Sequence, residues 1–68
     1  MKAISGKQFA RLLENRGWNL VRINGSHHVY MKPGNPARIS LPIHCNEDLK
    51  VGLLKHFMKV AGIAENEL

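Results

Sequence analysis

Trp18-Asn19-Leu20-Val21-Arg22-Ile23, then Asn24-Gly25, then Ser26-His27-His28-Val29-Tyr30-Met31-Lys32: two runs with aromatic and β-branched residues flank an Asn-Gly pair. Such residues favour a pleated, half-buried surface. Asn-Gly between them is a strong short-range signal for a two-residue type I′ hairpin. The stretch therefore predicts strands over 18–23 and 26–32 joined by a tight turn. Strand alternation assigns His27, Val29 and Met31 to one face and His28 and Tyr30 to the other. The hairpin also delivers His27 almost at the first residue of its second strand, beside a rim where backbone groups can reach a ligand.

Upstream, Ser5 followed three residues later by Gln8 forms a capping box, so a helix begins near Gly6. Phe9, Leu12 and Leu13, with Ala10, make its apolar stripe, and Gly17 occupies the place of a left-handed C-terminal cap. Downstream, Pro33-Gly34-Asn35-Pro36 is dense turn chemistry, and Arg38-Ile39-Ser40-Leu41 reads as a short third strand stopped by Pro42. Asn46, with Glu47 and Asp48 behind it, suits the approach to a second helix. That helix runs from about Lys50 to Ala61, with Leu54, Phe57, Met58 and Ala61 at the spacing of a buried face. Gly62 closes it, and 63–68 is a short tail. The expectation is one α+β domain over 1–68, ordered α-β-β-β-α. Two helices lie on one face of a three-stranded antiparallel sheet, as in double-stranded-RNA-binding domains. Other small α+β folds share that order, and a fold alone does not decide function.

The chain has 68 residues. A domain this small buries only about 60% of the surface its unfolded chain exposes. Its thin core leaves no room for a deep pocket, which argues against small-molecule metabolism and for a surface-acting module. One cysteine, Cys45, excludes an internal disulfide framework. No window reads as a signal peptide or membrane span, so the cytoplasm is the simplest expected location. Charge is uneven: seven basic side chains against Glu14 give residues 1–45 a charge of +6, whereas residues 46–68 carry −1. A positive field over the first two-thirds favours phosphate-rich partners, although it also serves solubility.

An imidazole can take and return a proton near neutral pH. At His27 that chemistry could deprotonate the 2′-hydroxyl of RNA for attack on phosphorus, or protonate the leaving oxygen. The competing reading is an ordinary polar residue at a hairpin rim. His28 and Tyr30 fit a structural role, a buried Tyr hydroxyl needing a partner such as His28 or a backbone carbonyl. No metal is expected: there is no Cys-x-x-Cys or His-x-x-x-His pair, and His27 and His28 point oppositely. His44 stands either as an aid at the site or as a solvated loop residue, and Cys45 is not expected to act as a nucleophile. Arg22, Lys32 and Lys50 are cations able to neutralise phosphate, with Gly25 and Ser26 beside them at the turn.

Gly25-Ser26-His27-His28-x-Tyr30, preceded by Gly17-Trp18 and followed by Pro42-x-His44, resembles the HicA family of toxins. The order and spacing of elements match from about Ser5 to Gly62. Lys50-x-Gly52 resembles the family's entry to its last helix, although Leu53 stands where Thr is common. The resemblance implies a double-stranded-RNA-binding-like fold, mRNA interferase activity with no cofactor, and neutralisation by a HicB-type antitoxin covering the hairpin. The family's catalytic histidine maps to His27. Two rival readings are a non-catalytic RNA-binding module and a protein-interaction domain that recruits a partner along an edge strand.

Overall fold

A computed structural model describes residues 2–68. Its elements are α1 (Gly6–Asn15), β1 (Asn19–Asn24), β2 (His27–Lys32), β3 (Asn35–Pro42), α2 (Val51–Ala61) and a closing 3-10 turn, Glu65–Glu67. The sheet is antiparallel in the order β1-β2-β3, so the expected α-β-β-β-α architecture holds.

The capping box starts α1. The Ser5 hydroxyl accepts from the Gln8 N–H at 3.2 Å, and the Gln8 side-chain oxygen accepts from the Ser5 N–H at 2.9 Å. Gly6 then lets the helix sit directly on the end of β3: a Cβ there would collide with the Pro42 carbonyl oxygen and crowd Ile43. Tyr30, Ile39 and Leu41 leave the same side of the sheet, because Tyr30 pairs with Ile39 and His28 with Leu41. They meet Phe9 and Leu13 of α1 and Leu54 and Phe57 of α2 in one core, with the two phenyl rings 6.0 Å apart. Trp18 is buried in that core, its indole N–H without a hydrogen-bond partner among the described residues.

Four local expectations are corrected. The hairpin turn is centred one residue later. Asn24 pairs with His27, leaving Gly25-Ser26 as the loop, and Gly25 takes φ +62° while no positive φ falls at Ser26. Positive φ at the first central residue alone is the type II′ pattern rather than type I′. Second, β3 spans eight residues rather than four. Lys32 pairs with Asn35 and Met31 with Arg38, so Pro36 and Ala37 stand between as a bulge. The Asn35 side chain takes the Ala37 N–H at 2.9 Å. An edge strand with a bulge tolerates the prolines that exclude an inner one. Third, Asn46 does not cap α2. Lys50 is the N-cap, without a side-chain bond. The buried Leu49 before it is tied to the N-terminal segment through its N–H and the Ile4 carbonyl (2.8 Å), so the helix starts where expected, near Lys50, without Asn46 as its cap. Fourth, the partner of the Tyr30 hydroxyl is Glu14, to which it donates at 3.1 Å, rather than His28 or a backbone carbonyl. Burial pushes this phenol up to about 12, with the Glu14 carboxylate adding to the effect.

Candidate active site

Because directly paired residues share a sheet face, the side opposite the helices can be read row by row. Asn24, His27 and Pro42 form the row nearest the first turn. Arg22, Val29 and Ser40 form the next, and Asn19, Met31 and Arg38 the one after. Arg22 owes its place to a bulge. Leu20 pairs with Tyr30 and Arg22 with Val29, so Val21 is the extra residue. Unbroken alternation would have kept Arg22 on the side of Leu20; the bulge re-aims it to the side of His27.

His27 is the first residue of β2 and is exposed. The Ser40 hydroxyl and His27 Nδ1 are hydrogen-bonded at 3.4 Å across one row. With Nδ1–H given to the Ser40 oxygen, Nε2 is left as the basic nitrogen of an exposed residue. Ser26 sits just before it. The Ser26 carbonyl accepts the Ile43 N–H at 2.8 Å, and the Ser26 hydroxyl and His44 Nε2 are in contact at 3.4 Å. The turn after β1 and the loop after β3 are thereby tied together. Pro42, opposite His27, also walls a groove of about 400 Å³ that His44 and Lys50 share with the carboxylates of Glu47 and Asp48.

Of the residues expected at the site, Gly25, Ser26, His27 and Arg22 lie together at the first turn, and Lys50 lines the adjoining groove with Pro42 and His44. Lys32 does not. It lies at the other end of β2, its Cε within 3.7 Å of where a Gly17 side chain would begin, at the foot of α1. Reading the sequence missed Ser40 as the partner of His27, and Arg38, two rows further along, as sharing its face. The alternation of β3 around its buried Ile39 and Leu41 was the available signal. His28, partly buried, faces the helix side beside Leu41, as alternation predicts. Among the described residues, no group of three or more His, Cys, Asp or Glu side chains is placed to hold a metal ion. Nor is any helix among them long and apolar enough to cross a membrane.

Two strands therefore present an oriented imidazole on an open surface, with two guanidinium groups on the same face and Lys50 in the groove beyond Pro42. Such an arrangement can move a proton at a phosphodiester while neutralising phosphate charge. Compared with known families, residues 6–63 match the model described as HicA toxin of bacterial toxin-antitoxin. No curated protein matches the chain.

Proposed function

The chain belongs to the HicA toxin family, the toxin side of a toxin–antitoxin pair, and we propose that it acts as a metal-independent endoribonuclease on mRNA with His27 moving the proton. The observation that carries this reading is His27 itself: exposed, first in β2, and held at Nδ1 by Ser40. No metal is needed to make the nucleophile, because RNA brings its own 2′-hydroxyl. His27 Nε2 takes that proton, the 2′-oxygen attacks phosphorus as the phosphorus–5′-oxygen bond breaks and the 5′-oxygen leaves protonated, and Arg22 with Lys50 offsets charge gathering on the phosphoryl oxygens. Gly25 and Ser26 keep the turn low enough for a strand to lie across it. An mRNA substrate would put the activity in the cytoplasm. The cognate antitoxin, of HicB type in this reading, would silence it by covering the hairpin.

His27→Ala should fold normally, since the side chain is exposed, and cut mRNA about 10²–10⁴-fold more slowly. Induced alone, it should no longer arrest growth. Full cleavage by a folded His27→Ala protein would overturn the assignment. Intact but gel-retarded RNA with the wild-type protein would make the chain an RNA-binding module instead.

A further inference from the structure

We propose that His44 is a second catalytic residue, the general acid that protonates the leaving 5′-oxygen while His27 acts as base; this rests on the ribonuclease reading above. Three observations place it. The His44 ring touches the hydroxyl of Ser26, the residue immediately before His27, at 3.4 Å. The loop that carries it is fixed in register with the turn by the Ile43 N–H to Ser26 carbonyl bond of 2.8 Å and by the pairing of Pro42 with His27. Its backbone is also constrained on the far side. The His44 carbonyl accepts the Glu47 N–H at 2.9 Å in a tight turn, and Cys45 within that turn takes φ +52°, the one non-glycine positive φ among the described residues. A left-handed cysteine persists only where the surroundings hold it, and such residues cluster at functional sites. The result is two exposed imidazoles, His27 directly after Ser26 and His44 against the Ser26 hydroxyl, with His44 also lining the groove that holds Lys50.

The step balances with no further reagent. His27 accepts the 2′-hydroxyl proton, and the 2′-oxygen–phosphorus bond forms as the phosphorus–5′-oxygen bond breaks. The protonated His44 ring gives its proton to the departing 5′-oxygen. The products are a 2′,3′-cyclic phosphate end and a 5′-hydroxyl end, with His27 left protonated and His44 neutral until water exchanges them. Across the groove, Glu47, Asp48 and Lys50 are the charged groups that surround His44.

A leaving group that needs no proton isolates this role. An RNA oligonucleotide spanning a linkage that the wild-type protein cuts would be made twice, once natural and once with sulfur in place of the bridging 5′-oxygen at that linkage. His44→Gln, and His44→Asn as a second variant, should cut the natural oligonucleotide about 10²–10⁴-fold more slowly than wild type. Both should cut the sulfur-bridged one within a few-fold of wild type. His27→Gln should be slow on both. Equal slowing of both oligonucleotides by the His44 variants, or no slowing of the natural one, would overturn the general-acid role and leave the ribonuclease reading standing. Wild-type protein that cuts neither oligonucleotide nor any transcript would overturn the ribonuclease reading itself, and this proposal with it.

Discussion

A hydroxyl 3.4 Å from one ring nitrogen decides how His27 presents the other. That bond is long and exposed, so its net worth is at most about 1 kcal/mol. Removing it releases the ring rather than the fold. Ser40→Ala should therefore lower the single-turnover cleavage rate about two- to fivefold and leave the thermal midpoint unchanged, and Ser40→Thr should restore the rate. A fully active Ser40→Ala protein would show that the ring needs no such support. The face of His27 was legible from alternation alone, because a period of two needs only the strand. Ser40 was not, since its position opposite Val29 depends on a bulge at Pro36 and Ala37 that local sequence signals read only as a turn. Glu14 was hidden for a like reason: Tyr30 reaches it across the packing of α1 on the sheet.

Between elements, the three strands carry unequal loads. All six residues of β1 are exposed, with Ile23 at 59% and Leu20 at 42%, whereas Ile39 and Leu41 of β3 are fully buried. The apolar run of β1 identifies a strand without showing that the sheet's fully buried side chains, Tyr30, Ile39 and Leu41, would come from β2 and β3. Ile23→Thr should shift stability by no more than about 0.5 kcal/mol. Ile39→Ala, which empties a space between both helices and the sheet, should cost about 2–5 kcal/mol. In a domain of this size each kcal/mol moves the midpoint about 4–8 °C, so thermal melts separate the two variants plainly. Comparable losses would mean that β1 is covered after all. Sequence signals were strongest where one local motif suffices: the Ser5–Gln8 box starts α1, and Gly62 at φ +69° ends α2. The start of α2 near Lys50 was legible too, but its cap was not: Leu49 bonds to Ile4, a partner 45 residues away, and Lys50 rather than Asn46 stands at the N-cap.

For the whole molecule the question is whether total charge or its placement governs RNA binding. Net charge is +5, and sequence alone counts every cation alike. The fold does not: Arg22 and Arg38 share the face of His27, whereas Lys32 lies by the foot of α1 at the far end of β2. Each phosphate neutralised on a single strand contributes about −0.7 to the slope of log affinity against log salt. Measured on the His27→Ala background, so that the RNA stays intact, Arg22→Gln and Arg38→Gln should each make that slope shallower by about 0.7. Lys32→Gln removes the same unit of charge and should leave it unchanged. An equal flattening by Lys32→Gln would mean that the long-range field alone attracts RNA and that the strand does not follow the His27 face. A difference confined to the two arginines would mean that the bulge at Val21, which turns Arg22 toward that face, is part of how the domain takes hold of its substrate.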